Sequence, residues 1–590
     1  MFVRVQKVRQ GGRLYEYVHI VEGYRDDDGK VRHRVVANLG RRDRLKDSGA
    51  LDNLAAAFTR LDPAPGRYLV GALPLVAPVL ARLGVAGVVD RACPMRGRAR
   101  LTHGEVIAAL VANRLTAPRP LYDVAGWANA YGTNEWLGTP GALLNDDRLG
   151  RALDALAPRL DEIASAVALA AIGSYGAGAA RLHWDFTSVA FCGAYADQDP
   201  DAPRIGFGHS SDRQAHRRQL KVAHATTATG IPLFARVTDG ARHEGAETHE
   251  LLETLRGLAA PKRLLLVADS ALVTKPNLAT ADAAGIRFVS RLPRSFDYEP
   301  DALAVPEDAW RPLRYCSARS RRLPTGERPT FRGAEASVDM TGPDKVTRTF
   351  RVLYVYGSEE AGAARASRAK LLARAEDALA RIAPGLATRP RQNPETVERR
   401  VAKAVSKGRA GTWLRTQVHD HDGTLSLSWW RDADALADTE RRDGLYALVT
   451  NLRPSQCSAD RLLTLYKDQA LSERAHHFLK GPLAVRPVFL KSNHRAAALV
   501  GVCSIALLVY GLIETELRHA IAPARTITGL LPEGRAARPT GENIFKTFAG
   551  LGYHRARTTN GLETISDPLT VAQQAILDAL DITSILPPHG

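Results

Sequence analysis

From about residue 181 onward the apolar residues stop recurring at helical spacing and take up the spacing of strands, and that change constrains the fold more than any other feature. RLHWDFTSVAF (181–191) is strand-like, and QLKVAHATTATGIPLFARVTDG (219–240) reads as a hairpin turning at Thr229-Gly230. A helical segment, THELLETLRGLA, precedes RLLLVADS (263–270), a short continuous apolar run typical of a strand buried on both faces. A second helix (KPNLATADAAG) and another strand (IRFVSRL) follow. The order strand, hairpin, helix, strand, helix, strand predicts an α/β sheet with mixed pairing.

Around that block the pattern differs. The first forty-odd residues alternate as strands (VRVQKV, LYEYVHIVEGYR, VRHRVVANL), with a hairpin signal at Asp28-Gly29. Residues 50 to 175 read as helices, and Thr102-His103-Gly104-Glu105 is a capping box with Leu101 and Val106 as its hydrophobic staple. The helix it opens and the following LYDVAGWANAYG read either as a helix-turn-helix that enters a DNA groove or as ordinary helical packing. Between about 295 and 440 the alternation is lost to basic Pro-containing loops and the charged helical stretch ASRAKLLARAEDALARIA, which predicts an insertion folded separately from the sheet. A strand, GLYALVTN, then leads into one helix, RLLTLYKDQALSERAHHFLK, stopped by Gly481-Pro482. The expected parts are an arm (1–48), a helical, DNA-binding region (49–178), a split core (179–295 and 443–520), the insertion (296–442) and a tail (521–590).

Composition narrows the classes. Apolar (45%) and charged (24%) fractions are those of a globular chain, and a net charge of +17 draws polyanions, because each neutralised phosphate releases counterions. Five cysteines lie far apart with no C-x-x-C pair, which suits a reducing cytosol. The basic start, MFVRVQKVRQGG, has no apolar run of a secretory signal. Ala496 to Ile513 carries no charge and approaches the ~20 residues of a membrane span. It is single and interrupted by Gly501, Ser504 and Gly511, so a buried core helix is expected.

Two aspartates sit where carboxylates are costly. Asp185 lies mid-strand in HWDFTSVAF, and Asp269 closes LLLVAD at the carboxyl end of its strand, where α/β sheets build ligand sites. Converging from neighbouring strands, they repel unless a hard cation such as Mg²⁺ or Mn²⁺ lies between them. Taken singly, each also reads as a hydrogen-bonded strand-end residue. On a continuous helix Tyr466, Gln469, Glu473 and Lys480 fall within about 60° of one another, with Leu471, Ala475, Phe478 and Leu479 on the far side. The expectation is an apolar face on the sheet or the insertion and a polar stripe looking elsewhere. His476-His477 makes no zinc site, since neighbouring helical residues point roughly 100° apart.

Tyr466-x2-Gln469-x3-Glu473-x6-Lys480 resembles the Y-x2-R-x3-E-x6-K signature of the DDE transposases of cut-and-paste insertion elements. Gly206-Phe207-Gly208-His209-Ser210, the VADS strand end, LVTN, VVANLG near the start and AVRPVFL after the helix are similar to the same family. One departure is Gln469, a neutral amide where the family carries Arg, which loses the charge-assisted part of a phosphate contact. The resemblance runs to about residue 515 and implies an RNase H-like mixed-sheet core interrupted by an insertion, with a helical N-terminal region preceded by short β-strands. It implies a cytoplasmic, nucleoid-associated bacterial enzyme that cleaves DNA at element ends and transfers strands to target DNA, with Asp185, Asp269 and Glu473 holding two Mg²⁺ or Mn²⁺ ions. Its partners would be the terminal inverted repeats and target DNA, bound as a homodimer, with no membrane. Lys480, Tyr466 and Gln469 are candidate DNA contacts beside that site. His209 and Arg213, with Arg217 and Arg218 nearby, are candidates from the loop before the second strand. Trp413, Trp429 and Trp430 present ring faces on which a base can stack, or pack inside the insertion. The competing readings are another RNase H-like nuclease, a catalytically silent DNA-binding descendant, and a membrane-anchored protein resting on residues 496–513 alone.

Overall fold

The structure, a computed structural model, describes residues 2–10, 13–25, 31–43, 66–95, 97, 99–209, 216–256, 264–317, 319–388, 392–481, 490–558 and 561–587. Strands β1 (Phe2–Gln10), β2 (Arg13–Arg25), β3 (Val31–Arg41) and β4 (Gly66–Leu69) open the chain. Helices α1 (Leu73–Leu83), α2 (Val85–Ala92), α3 (His103–Thr116), α4 (Val124–Ala130), α5 (Thr133–Leu137), α6 (Asp146–Leu156) and α7 (Leu160–Tyr175) follow. Next come β5 (Arg181–Phe191), β6 (Arg218–Thr227), β7 (Pro232–Asp239), α8 (Glu244–Arg256), β8 (Leu265–Ala268), α9 (Lys275–Ala284) and β9 (Arg287–Arg291). The expected insertion holds α10 (Glu299–Ala304), β10 (Arg311–Leu313), β11 (Phe331–Thr341), β12 (Thr347–Gly357), α11 (Ser358–Ala387), α12 (Pro394–Ser406), β13 (Leu414–His421), β14 (Thr424–Arg431) and α13 (Ala433–Arg442). The chain closes with β15 (Leu445–Thr450), α14 (Ala459–Lys467), α15 (Ala470–Lys480), α16 (Asn493–Ala520), α17 (Gly541–Phe548), β16 (Gly552–Thr558), β17 (Gly561–Ser566) and α18 (Val571–Ala579).

Two units emerge, residues 1–69 with 551–568, and residues 70–550 with 569–590. In the first, β1, β2 and β3 form an antiparallel sheet in that order, and β16 pairs antiparallel with both β4 and β17. The chain's tail thus supplies two strands to a sheet begun at residue 66, and Tyr68 stacks on the buried Tyr553 at 5.3 Å. Asp28-Gly29 lies outside the described residues.

The second unit is built on a nine-stranded sheet ordered β10-β11-β12-β15-β9-β8-β5-β6-β7. β6 runs antiparallel to both β5 and β7, whereas β8 and β9 run parallel to β5, the mixed core the sequence predicts. The insertion expectation needs correcting at 311–357, because β10, β11 and β12 extend this sheet instead of folding apart from it. Val352, Leu353 and Val355 of β12 are buried against β15, and that burial draws the strands into the core. The part that folds separately is α11–α13 with the β13–β14 hairpin.

Successive side chains on a strand point to opposite faces, so β5 addresses two layers. Trp184 is buried toward α8, its Nε1 donating to Thr248 Oγ1 at 3.2 Å, while Asp185 faces α15 on the other side. The apolar stretch is helix α16, buried at every residue from Ala496 to Ile513. β7, α3, α6, α1 and α7 pack around it. Its glycines mark close approaches: a Cβ at Gly501 would sit 2.2 Å from Leu160 Cδ1, and one at Gly511 would sit 2.9 Å from Pro232 Cδ. The capping box forms as read, with Glu105 N–H donating to Thr102 Oγ1 and Thr102 N–H to Glu105 Oε2.

Candidate active site

The parallel register pairs Trp184 with Ala268, so the next residues along, Asp185 and Asp269, stand side by side across β5 and β8. The Phe186 N–H donates to Asp185 Oδ1 at 2.9 Å. Asp269 caps the short turn after β8: the Ala271 N–H donates to its Oδ1 at 3.0 Å, and Ser290 Oγ donates to its carbonyl at 2.6 Å. Burial pushes the Asp269 carboxyl up to about 6. The Ala271 N–H opposes that rise, the Glu244 carboxylate adds to it, and the Lys221 ammonium pulls back. Lys221 is itself buried and paired with Glu244 at 3.0 Å.

The segment carrying Glu473 lies across these strands. α14 packs over β8 and β9, and α15 over β5 and β6. Here the single helix expected from the sequence is interrupted: the Asp468 N–H still takes the Thr464 carbonyl, but the Gln469 N–H takes the Tyr466 carbonyl three residues back at 3.1 Å. Asp468 turns to Arg181 at the start of β5, 3.1 Å away. The wheel from Tyr466 to Lys480 therefore crosses a turn at Asp468 and Gln469. His476, next to the polar stripe, is buried, with Nδ1 3.6 Å from Asp185 Oδ2 and its ring 5.3 Å from that of His224. The apolar side is enclosed as well: Leu479 is fully buried, and the Phe478 ring lies 4.3 Å from that of Tyr510 in α16.

Glu473 is three residues before His476, about 4.5 Å along α15 toward Tyr466. Its side chain lies outside the described residues. Tyr466 is half-buried beside Tyr446, with ring centroids 6.3 Å apart. Burial pushes its hydroxyl up, Arg291 beside it pulls back, and the carboxylates of Asp269 and Asp185 push further in the same direction as burial. Of the residues flanking Glu473, His476 thus borders Asp185 directly, and Tyr466 in α14 feels the charges of Asp269 and Asp185.

Three family models match the chain in succession: the N-terminal domain of the IS1634 family transposase at 2–65, a domain of unknown function at 68–165, and the transposase DDE domain at 182–509. The last covers more than half of the chain. The chain belongs to the DDE transposase family. No curated protein matches it. The transposase acts on DNA, and DDE transposases generally use divalent metal ions. Its described donors suit such an ion in kind: carboxylate oxygens are hard ligands, and a carboxyl raised by burial is one that a cation would restore to its charged form. Among the described residues alone, no three His, Cys, Asp or Glu side chains gather as a metal set.

The other sequence candidates scatter. Lys480 ends α15, and its charge adds to the burial that holds the His476 imidazole well below its usual range. Gln469 sits half-buried at the interruption. His209 is exposed, its carbonyl accepting from Gln219 Nε2 at 2.9 Å. Gln219 pairs with Ala190, five residues beyond Asp185 and so roughly 17 Å along the strand, and the loop does not meet the aspartates through this contact. Arg213 lies outside the described residues, Arg217 is exposed, and the Arg218 guanidinium lies 4.8 Å from the Phe207 ring centroid. Trp413 donates to Thr439 Oγ1 at 2.9 Å and, with Trp429, packs on the insertion's apolar cluster, whereas Trp430 is 50% exposed. Sequence reading passed over Arg291, which follows the Ser290–Ala268 pair in register and so stands beside Asp269. A cation ending the strand RFVSR was the available signal.

Proposed function

We propose that the transposase cuts DNA at the ends of its element and joins those ends to target DNA at a site made by Asp185, Asp269 and Glu473, which hold two divalent ions, Mg²⁺ or Mn²⁺. The observation that carries the reading is the adjacency of Asp185 and Asp269 on parallel strands beneath the helix that bears Glu473. Two carboxylates so placed repel, and one is already driven toward its protonated form, which is the condition that a hard cation relieves. When bound, such ions supply a nucleophilic water or 3′-hydroxyl at neutral pH and take up charge on the leaving oxygen.

The chain's own groups hold and orient. Asp269 is fixed by the Ala271 N–H and Asp185 by the Phe186 N–H, each of which leaves the second carboxylate oxygen outside that bond. Lys480 contacts a DNA phosphate, and Tyr466 orients the DNA end. Gln469 leaves cationic help to other residues, and Arg291 is placed to give it. Two element ends require two active sites, so the working form is a dimer on DNA.

The test is strand cleavage of a DNA carrying element ends, with Mg²⁺ or Mn²⁺, by wild type, Asp185→Ala, Asp269→Ala and Glu473→Ala. Each variant is expected to lose cleavage while still binding DNA. Wild-type rates in Asp185→Ala or Glu473→Ala would remove the metal assignment.

A further inference from the structure

Residues 365–410 hold twelve Arg and Lys against four Asp and Glu, a net +8 within a chain of net +17. Much of that segment is the helix pair α11 and α12. Leu379, Leu386, Val397 and Val401 zip the pair along a buried seam, which leaves the flanks for charged side chains. On one flank the two helices bound a groove of about 630 Å³. Arg374 and Arg381 from α11 and Arg400 and Lys403 from α12 line it, over an apolar floor that includes Leu371 and Ile382. All four cations are exposed. Among the described residues none of the four pairs with a carboxylate, although Asp377 lies one turn from Arg374 and Arg381 on the same helix. Arg381 Nε instead donates to the Asp377 backbone carbonyl at 3.1 Å. Neighbouring charges are treated differently: Arg368 is buried against Asp443 at 2.8 Å, and Arg431 is tied to Glu376 at 2.8 Å.

We infer that this groove binds the phosphate backbone of duplex DNA. Cations that have no acid to neutralise them repel one another, and a polyanion is the occupant that relieves this. DNA is the polyanion on which this family acts. The dimensions agree: Arg374 and Arg381 are seven residues apart, about 10.5 Å along α11, which spans roughly three phosphates of one strand at ~3.4 Å of axial rise each. With α12 supplying a second row, one strand's phosphates are bracketed from both walls. No base edge is read by such a row, so the contact positions DNA without selecting its sequence. Asp185, Asp269 and Glu473 are no part of the groove's lining.

The experiment is binding of a short blunt DNA duplex of arbitrary sequence to the full chain in EDTA, across a range of salt. Arg374→Gln with Arg381→Gln, and Arg400→Gln with Lys403→Gln, each remove two charges but keep a helix-forming side chain. Each pair is expected to make the plot of log affinity against log salt shallower by about two, at ~0.9 per phosphate contact, and to weaken binding on the order of tenfold near physiological salt. Arg535→Gln with Lys546→Gln removes the same charge from exposed residues elsewhere and should leave the slope near wild type. Arg374→Lys with Arg400→Lys should also keep the wild-type slope, which separates loss of charge from loss of structure. Groove pairs that change the slope no more than the control pair overturn the assignment.

Discussion

His183, His224 and His476 lie within reach of Asp185 along two strands and a helix, and all three are buried. Neither ring nitrogen of His183 or His224 has a hydrogen-bond partner among the described residues. Burial holds both imidazoles down at about 4, and His476 is also held well below its usual range. In the folded chain they stay neutral, whereas the unfolded chain protonates them below about 6.5, so their contribution is complete above that pH and is lost as the pH falls toward 4. Each of His183 and His224 costs on the order of 2 kcal/mol by pH 5. Asp269 works the other way, since a carboxyl raised to about 6 is relieved of its burial cost on acidification. Three histidines outweigh one aspartate. The melting temperature should therefore fall from pH 7 to pH 5, and His224→Gln should flatten that fall; an equal slope in the variant would refute the assignment. The types and positions of these histidines were visible in HWD and VAH, but their burial was not, because a lone His on a strand is exposed or enclosed according to what packs above it.

At the scale of elements, α16 shows how composition alone is ambiguous. An uncharged run of this length satisfies the demands of a bilayer and of a protein core equally, because both exclude water from the helix surface. What separates them is close packing by named neighbours. Leu160 and Pro232 occupy the space that side chains at Gly501 and Gly511 would need. Gly501→Val should lower stability by about 1–3 kcal/mol through overpacking. Thermal melts read this directly, and an unchanged melting temperature would mean that Leu160 can move aside. The break between α14 and α15 was likewise hidden, since Tyr466 to Lys480 has no Gly or Pro to announce it and Asp468 departs for an ion pair with a strand far away in sequence.

For the whole molecule, the neck of the insertion is narrow. β12 and β15 are antiparallel neighbours with Tyr356 opposite Leu445, and the Gly357 N–H donates to the Gly444 carbonyl at 3.0 Å. Gly444 has φ 78°, and a Cβ there would lie 2.5 Å from the Gly357 carbonyl, so glycine suits this crossing for two reasons. Residues 358–443 leave and return at one point of the sheet. Replacing them with a short Gly-containing turn should convert β12–β15 into a plain hairpin and leave the core sheet folded. Both partners of the buried Arg368–Asp443 pair depart together, while Lys467 loses its partner Glu360 and is a charge that the turn should be designed to serve. The excised protein should unfold cooperatively in a calorimeter and bind duplex DNA with a shallower salt dependence; loss of the cooperative transition would show that the insertion is part of the core.

The chain's own periodicities determined the strands and helices of 181–292 and the capped α3, because apolar spacing and capping are local properties of a few consecutive residues. Only the tertiary structure decided that β10–β12 join the main sheet, that the tail strands pair with β4, that His476 of α15 is buried against Asp185, and that Asp185 and Asp269 become neighbours. Strand partnership and helix orientation depend on which distant apolar surfaces are buried together, and no window of sequence contains both sides of that contact.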